Sequence, residues 1–375
     1  MLCNFRIEPV FSTSTLNYQR STLRHQTSAR FKLRISPLLH FTLFFSFLLM
    51  LMQNTAMAPE RAMDQLQSTG QASQQATIPL WGQAKTPVPP NQEKPEDVTI
   101  IGADDVEVTI SDRSRIATLG GAITETVYAL GHGDQLIASD QSSTYPEEVF
   151  RKPRLTVFRT STPESILSLN PSLILTTEGI RPLSVPTQLR NAGVPTLLLK
   201  EAKTPEDAAE RMRIIGQVLG EEEKADEIVR LMFEDLDRAF ALQEKLSRKP
   251  RVLFVYTRGA YMVNVTGRGT SADAVIRLAG GINVVDEFKG YRPLTAEAVV
   301  TSAPDLILVP EFGLEMLGGM TAFLNQPGIS LTPAAKNGHI LAIDDAMLLS
   351  FGPRLGEGVY QLTSEMIRVL EESQP

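Results

Sequence analysis

The chain is poor in the side chains that most often bind metals or form covalent crosslinks. It has one cysteine, Cys3, and four histidines among 375 residues. Beyond residue 58 no cysteine remains, and His132 and His339 are the only imidazoles. Disulfide bonds and thiolate metal sites are therefore excluded from that part of the chain, and a zinc site built from several histidines is not expected.

The glycine-rich motifs that bind nucleotides in enzymes are also missing. No G-x-G-x-x-G follows a first strand, no G-x-x-x-x-G-K-[ST] occurs, and residues 267–269 (GRG) are too short a match. Two histidines leave little from which to build a Ser-His-Asp set. We therefore expect a protein that binds and does not catalyse, with an enzyme as the alternative.

Basic charge is scarce outside the N-terminus. The formal net charge is −7, and residues 1–58 hold six basic residues and one acidic residue. Without them, 30 basic and 42 acidic residues remain, a net charge of −12. A chain this acidic is a poor general binder of nucleic acid, so we expect no nucleic-acid partner. An anionic ligand would need individually placed arginines.

The first 58 residues are arranged like a secretory signal peptide. Residues 1–36 are basic and polar, residues 37–52 are apolar, and an Ala-x-Ala sequence ends at Ala58. This pattern predicts cleavage after Ala58, with an uncleaved membrane anchor as the alternative. Because no cysteine follows the apolar run, we expect a soluble protein of a Gram-negative periplasm. Residues 59–105 are rich in Gln, Pro, Thr and Ala, which predicts a disordered linker.

The rest of the chain alternates short apolar strands with helical segments, as is typical of parallel α/β sheets. We predict an N-terminal α/β lobe at residues 106–204 and a C-terminal α/β lobe at residues 250–375. Residues 205–249 between them have helical spacing with one break at Gly220, and residues 221–248 contain no glycine or proline. This pattern predicts a long stiff helix between the lobes.

The two lobes contain an internal repeat. Residues 163–175 read PESILSLNPSLIL and residues 296–308 read AEAVVTSAPDLIL. A common helix-Pro-strand connector that occurs twice by chance would explain the repeat. Two related lobes would also explain it, and each lobe would then present one glutamate, Glu164 or Glu297, near a helix N-terminus. Two equivalent acidic points suit a partner with two-fold symmetry and paired basic sockets.

The most informative short stretch is DQSSTYP at residues 140–146, which follows a strand-like run. A residue before proline is pushed away from helical backbone angles, so the side chain of Tyr145 can stand out from a loop. A phenol in that position is a candidate ligand for ferric iron, which accepts tyrosinate in some heme proteins. An ordinary loop tyrosine that bonds to water is the alternative.

Four segments of the chain resemble class III periplasmic substrate-binding proteins of ABC importers, the class that carries heme, cobalamin or ferric siderophores. The resemblance covers roughly residues 112–372, and the segments at 140–146 and 346–354 are similar to the hemin-binding branch in particular. The segments are GGAITETVYALG at 120–131, DQSSTYP at 140–146, PESILSLNPSLIL at 163–175 and AMLLSFGPR at 346–354.

This resemblance implies an α/β fold of two Rossmann-like lobes joined by one long rigid helix, with the ligand held in a cleft between the lobes. It implies a monomer that delivers heme to a permease dimer with ATPase subunits. Glu164 and Glu297 match the positions that dock on the permease. Tyr145 matches the axial iron ligand. The resemblance also indicates an apolar wall and a propionate partner, for which the candidates are Met347, Leu348, Leu349, Phe351 and Arg354.

One position departs from the hemin-binding pattern. Some hemin binders carry a histidine where this chain has Arg258, and a guanidinium has no lone pair to offer to iron. We therefore expect a single Tyr-ligated heme, with Arg258 near the second face of the iron or near the tyrosine oxygen. Tyr256 and Tyr261 are further phenols of the same loop. A ferric siderophore or a cobalamin is the alternative ligand, and Arg258, Arg268 and Arg354 could hold an anionic chelate.

Overall fold

Two large sheets flanked by helices, together with a small two-stranded sheet, form the part of the chain that the computed structural model describes, namely residues 96–155, 162–257, 259 and 262–372. The strands are β1 Val98–Ile101, β2 Glu107–Ile110, β3 Ile116–Leu119, β4 Leu136–Asp140, β5 Arg154–Leu155, β6 Leu173–Thr177, β7 Thr196–Leu199, β8 Arg251–Thr257, β9 Val263–Thr266, β10 Ile282–Asn283, β11 Tyr291–Pro293, β12 Leu306–Pro310 and β13 Ile340–Ile343. The helices are α1 Gly121–Ala129, α2 Pro163–Leu167, α3 Val185–Asn191, α4 Pro205–Leu219, α5 Glu222–Gln243, α6 Ser271–Leu278, α7 Ala296–Ser302, α8 Glu311–Leu317, α9 Gly319–Leu324, α10 Pro333–Lys336, α11 Asp345–Leu349 and α12 Leu355–Glu372. Single 3-10 turns lie at Glu147–Arg151 and Ile329–Leu331.

The N-terminal sheet is entirely parallel, with the strand order β5-β4-β3-β6-β7. All residues of the central strands β3 and β6 are buried. Parallel sheets are covered on both faces, which is why these strands are rich in apolar residues and bury even their threonines, Thr118, Thr176 and Thr177. The α/β class predicted from the sequence is confirmed here.

The C-terminal sheet has the order β11-β9-β8-β12-β13, and β10 also pairs with β8. Strands β8, β12 and β13 are parallel, whereas β9 and β11 are antiparallel additions at one side. The parallel trio β8-β12-β13 corresponds to β3-β6-β7 of the first sheet. In both trios the second strand follows a short helix, α2 or α7, which is where the sequence repeat lies.

The predicted disordered linker at residues 59–105 needs a correction at its C-terminal end. Strand β1 pairs antiparallel with β2, with Val98 opposite Ile110. The turn between them is attached to the N-terminal lobe, because the backbone N–H of Ala103 donates to the carbonyl of Leu198 at 2.8 Å. Local composition favoured a linker, but pairing with a later strand orders this part. Residues 59–95 and the predicted signal peptide lie outside the described residues.

Two consecutive helices lie where the long connecting segment was predicted. Helix α4 begins with a capping box in which Thr204 and Asp207 bond each other's backbone N–H, and it stops at Gly220, whose left-handed φ of 71° favours glycine. Helix α5 follows with 22 residues, a length of about 33 Å. It ends at Gln243, five residues before the expected end at Arg248.

Three hydrophobic clusters hold the described chain together. The largest joins one face of each sheet to α4, α5 and α12, and Ile116 and Val252 are among its members. The other faces of the sheets form separate clusters, around Leu119 in the first lobe and Leu253 in the second. Helix α12 approaches α5 closely, since a Cβ on Gly356 would lie 2.2 Å from a backbone oxygen of α5. No helix among the described residues is long and apolar enough to cross a membrane.

Candidate functional site

The Tyr145 loop is held in place by a buried carboxylate at the end of β4. Asp140 is fully buried and accepts hydrogen bonds from the hydroxyls of Ser142 and Ser143, each at 2.9 Å. The Ser142 hydroxyl in turn accepts from the backbone N–H of Gly121 at 2.9 Å. A Cβ on Gly121 would lie 2.5 Å from the Ser142 carbonyl oxygen, so the loop and α1 can approach this closely only at a glycine.

Further hydroxyls extend this network into the lobe. The hydroxyl of Thr124 on α1 lies 2.7 Å from that of Ser143 and 2.7 Å from that of Thr118 on β3. On the other side, Arg154 of β5 donates to the carbonyl oxygen of Ser143. The loop is therefore bonded to β3, β4, β5 and α1, which leaves the residue after it in a defined position.

Tyr145 stands out from this fixed loop. Its side chain is exposed, with 41% of its surface accessible, although neighbouring Ser143 is fully buried. One face of its ring lies over the guanidinium of Arg354, whose Cζ atom is 3.8 Å from the ring centroid. The structure thus brings together two residues 209 positions apart in the sequence, both of which the sequence had indicated as candidates.

Arg354 bridges carboxylates from the two lobes. Its Nε and one terminal nitrogen donate to Glu125 of α1 at 2.9 and 3.0 Å, and the other terminal nitrogen donates to Asp344 at 2.9 Å. Asp344 follows β13 and also caps α11 by accepting from the backbone N–H groups of Ala346 and Met347. All three guanidinium nitrogens therefore have protein partners, which does not favour the predicted propionate contact of Arg354.

The pKa values of this pair reflect its environment. Glu125 is only 3% exposed, and burial raises its pKa above the ordinary glutamate value, although hydrogen bonds from Arg354 act in the opposite direction. Burial acts to lower the pKa of Arg354, but its bonds to Glu125 and Asp344 outweigh burial and raise it. Arg354 therefore keeps its positive charge beside the Tyr145 ring.

A second buried arginine fixes the segment before Arg354. Arg211 of α4 donates to the carbonyls of Ser350 and Phe351 at 2.9 and 2.7 Å, and burial lowers its pKa to about 10. Phe351 has a left-handed φ of 54° and is fully buried in the largest hydrophobic cluster. The ring of Phe351 is thus part of the core in this structure, and its contact with a ligand stays a prediction.

The neighbouring apolar residues form a short helix. Residues Asp345–Leu349 form α11. Leu348 is buried in the core, whereas Met347 and Leu349 are half-buried. Of the residues predicted to form the wall, Met347 is thus one that keeps accessible surface.

A group of exposed apolar side chains, which no sequence pattern indicated, follows strands of the second sheet. Phe312 and Met316 lie one turn apart on α8, directly after β12, and are 50% and 51% exposed. Met262, just before β9, is 49% exposed. Helix α8 lies against the end of β8, because a Cβ on Gly313 would be 2.4 Å from the carbonyl oxygen of Thr257. In open α/β sheets, ligands bind outside the carboxyl ends of the strands, which is where Phe312 and Met316 lie.

Glu164 and Glu297 occupy matching positions. Each is exposed at the second residue of its helix, α2 or α7, after a threonine whose hydroxyl accepts a backbone N–H of the first turn. The two capping threonines are Thr162 and Thr295. The equivalence predicted from the repeat is therefore present in the geometry, and the docking role stays a prediction.

Two predicted residues lie outside the described chain, and two residues that contact Arg354 were not predicted from the sequence. Arg258 and Tyr261 lie outside the described residues. Tyr256 at the end of β8 packs edge-on against Tyr291, with ring centroids 5.5 Å apart. Glu125 was not singled out, although a glutamate within the apolar stretch of α1 was a signal that it needs a buried partner. Asp344 carried no such local signal.

A cavity of about 330 Å³ lies elsewhere, between the β1–β2 turn, the end of β7 and α4. Its charged lining is mixed in sign, with Glu178, Lys200, Asp207, Glu210 and Arg211. None of the predicted ligand-binding residues lines it. We therefore assign the candidate site to the residues around Tyr145 and not to this cavity.

A parallel sheet and a mixed sheet, each with helices and with candidate binding residues after its strands, define a two-lobed binding protein, and a comparison with known families agrees. The chain belongs to the periplasmic binding protein family, whose model matches residues 116–347. Proteins of this family bind substrates for transport and are not enzymes. The fold predicted from the sequence, two α/β lobes of this class, is confirmed.

Individual proteins are similar to the chain over most of its described length. The solved structure of the periplasmic heme-binding protein RhuT from Roseiflexus sp. RS-1, in apo form, is 34% identical, with a TM-score of 0.66 over 69% of this chain and 99% of that one. An uncharacterized ABC transporter substrate-binding lipoprotein, YvrC from Bacillus subtilis, is 28% identical over 72% of this chain and 85% of its own length. A vitamin B12-binding protein from Vibrio parahaemolyticus is 25% identical over 64% and 84%.

Proposed function

We propose that the protein binds ferric heme in the cleft between its lobes, with the Tyr145 oxygen as the iron ligand. The observation that carries this proposal is the exposed phenol on a fully bonded loop, stacked on the Arg354 cation. Ligation of ferric iron requires loss of the phenol proton, and a nearby cation favours the phenolate that results. The fixed loop reduces the entropy that ligation would otherwise cost.

Two further observations support heme among the ligands of this class. The exposed side chains of Phe312 and Met316 suit the apolar face of a planar macrocycle. The 34% identity with a solved heme-binding protein, over nearly all of that protein, exceeds the 25% identity with the vitamin B12-binding relative. That relative is nevertheless a specific reason to retain a corrinoid as the second candidate, and a ferric siderophore remains a third.

An absorption titration of the purified protein with hemin tests the proposal. We expect a Soret band and a charge-transfer band at the red end of the spectrum, as a Tyr-ligated ferric heme gives. Tyr145→Phe keeps the ring and its stacking on Arg354 but removes the ligating oxygen, so both features should be lost. Tyr360→Phe is the matched control, because Tyr360 also stacks on an arginine, Arg238, at 4.6 Å.

Unchanged hemin spectra in Tyr145→Phe would rule out the assigned ligand. Parallel titrations with cyanocobalamin and with a ferric siderophore distinguish the other two candidates. Tight binding of either one, together with weak hemin binding, would replace heme as the substrate.

We expect one heme in the cleft, with Arg258 and Tyr261 contacting it. Arg258 cannot ligate iron, so the wild-type heme should have one protein ligand. Arg258→His supplies an imidazole that could ligate the second face, and a six-coordinate spectrum in that variant would place residue 258 beside the iron. A hemin titration that ends at two equivalents would contradict the single-heme proposal.

We further propose delivery of the ligand to a permease dimer with its ATPase subunits, as the name of the YvrC relative suggests for that protein. Glu164 and Glu297 would dock on basic sockets of the permease. Reversing both charges with Glu164→Arg and Glu297→Arg should abolish uptake and leave hemin affinity unchanged. Glu206→Arg is the matched control, because Glu206 is also exposed at the second residue of a helix after a threonine cap.

Loss of hemin affinity in the double reversal would show that these glutamates belong to the cleft or the fold. A periplasmic location follows from the proposed signal peptide of residues 1–58. N-terminal sequencing of the exported protein should give Pro59 as the first residue, and retention in the membrane fraction would contradict cleavage.

A further inference from the structure

The side chains around Arg354 leave it little freedom. Its side chain is 14% exposed, and it donates from all three nitrogens to Glu125 and Asp344, whose side chains are 4% and 33% exposed. These carboxylates come from different lobes, since Glu125 lies on α1 after β3 and Asp344 follows β13. The remaining accessible feature of the guanidinium is its face, and the Tyr145 ring lies over that face.

A surface pair in the same chain shows what this arrangement adds. Arg238 also stacks on a tyrosine, Tyr360, but Arg238 is 62% exposed and bonds through one nitrogen to Asp235, a neighbour on the same helix. Such a pair is free to separate in solvent. Around Arg354, by contrast, a bidentate carboxylate fixes the position of the cation before any ligand arrives.

We infer that the Glu125–Arg354–Asp344 bridge is a positioning device for the iron ligand, and that Arg354 serves Tyr145 and not a ligand carboxylate. The inference rests on the proposed function of Tyr145. When iron ligates the phenol, its proton leaves and the oxygen becomes anionic, and the fixed cation under the ring stabilises that charge. The two carboxylates set how much of the Arg354 charge is available to the phenolate.

The bridge also links the ligand to both lobes at once. Gly352, two residues before Arg354, lies against α1, since its Cβ position would be 3.2 Å from that of Ala122. Arg211 holds the carbonyls of the same segment. The iron-ligating phenol of Tyr145 therefore contacts Arg354, which lies in the segment of the second lobe that is bonded to the first lobe.

A comparison of two ligands tests whether Arg354 acts on the tyrosine or on the propionates. Hemin and its dimethyl ester differ at the propionates, which are anionic in hemin and neutral in the ester. Arg354→Gln should weaken both by the same factor, roughly 30-fold, as expected for loss of a desolvated cation–π contact. Glu125→Gln should also affect both equally. A loss at least tenfold larger for hemin than for the ester would assign Arg354 to the propionates and overturn the inference.

The iron itself reports on the charge beside the phenolate. Arg354→Gln removes a positive charge, so the ferric-ferrous midpoint potential should fall and the iron–phenolate stretching frequency should rise. Glu125→Gln and Asp344→Asn each remove a negative charge and should move both quantities in the opposite directions. Asp226→Asn is the control, because it breaks an arginine–carboxylate pair with Arg213 that is exposed on both sides.

Removing one member of a buried pair can unfold a protein. If Arg354→Gln does not fold, Arg354→Lys and Glu125→Gln allow the same ligand comparison and the same potentials. Shifts of the same sign in Glu125→Gln and Arg354→Gln, or none in Glu125→Gln and Asp344→Asn, would contradict the inference while Tyr145 remains the ligand. Failure of wild-type hemin binding would instead refute the proposed function itself.

Discussion

The two lobes share a scaffold but differ in the segments at the ends of their strands. In the N-terminal lobe, the segment after β4 is polar: the hydroxyls of Ser142 and Ser143 donate to Asp140, and Ser142 also accepts from the backbone N–H of Gly121, which follows β3. In the C-terminal lobe, the segment after β12 exposes Phe312 and Met316. Under the proposed function, the first lobe positions the ligating group and the second lobe provides apolar surface for the ligand.

The central strands of the two sheets are arranged in nearly the same way. Strands β3, β6 and β7 correspond to β8, β12 and β13 in order and direction. Duplicated central strands tolerate different loops at their ends, because the loops lie outside the packed layers. Specificity can therefore change at the strand ends without changing the core.

The largest expected effect comes from removing the Asp140 carboxylate at the end of β4. Asp140→Ala leaves the hydroxyl of buried Ser143 and that of Ser142 without their acceptor, so we expect the free energy of unfolding to fall by about 3 kcal/mol. Hemin affinity should fall at least tenfold, because Tyr145 loses its fixed loop. Urea unfolding and hemin titration measure the two effects. Asp237→Ala, at an exposed position of α5, should change neither.

The exposed apolar residues of α8 should affect hemin affinity much more than stability. Phe312→Ser with Met316→Ser removes exposed surface, so the free energy of unfolding should change by less than about 0.5 kcal/mol. Hemin affinity should fall about tenfold, since each side chain loses apolar burial against the ligand. Val300→Ser with Leu331→Ser is the control for exposed apolar residues elsewhere in that lobe. Equal affinity losses in both pairs would remove the distinction between the lobes.

The free energy of unfolding should fall in acid because of Asp207 at the start of α4. A hydrogen bond from Lys200 lowers the pKa of Asp207 to about 2 from an ordinary 3.8, although burial acts to raise it. The stabilisation is therefore present above pH 3.8 and is lost as the pH falls through about 2. Asp207→Asn should lower the free energy of unfolding by about 1 kcal/mol at pH 7. The difference in the free energy of unfolding between wild type and variant should disappear in acid. A difference that stays constant with pH would show that the charge of Asp207 is not its cause.

The smallest expected effect compares the equivalent helix caps. Thr162→Ala and Thr295→Ala each remove the hydroxyl that accepts a first-turn N–H, on α2 and α7. Each should lower the free energy of unfolding by about 0.5–1 kcal/mol, with hemin affinity unchanged. Thermal or urea unfolding of the two variants measures this. A large difference between them would show that the repeat is not equivalent in energy.

Local patterns predicted much of this molecule. Strand-helix alternation indicated the α/β class, Gly220 marked the end of α4, and the repeat located Glu164 and Glu297 at matching helix starts. These features depend on residues close together in the chain, where periodicity and capping act. The same local reasoning failed at β1, because its pairing with β2 depends on a partner beyond the expected boundary.

The candidate site shows where sequence alone stops. Tyr145 and Arg354 could each be named from their own segments, but their roles depend on each other and on Glu125, 229 residues from Arg354. The sequence indicated Phe351 as a residue of an apolar binding wall, but its ring is buried in the core. By itself the sequence determined the class of fold and the candidate phenol, because both depend on local patterns. Only the tertiary structure decided that Arg354 lies under Tyr145, since burial and long-range hydrogen bonds select its partners.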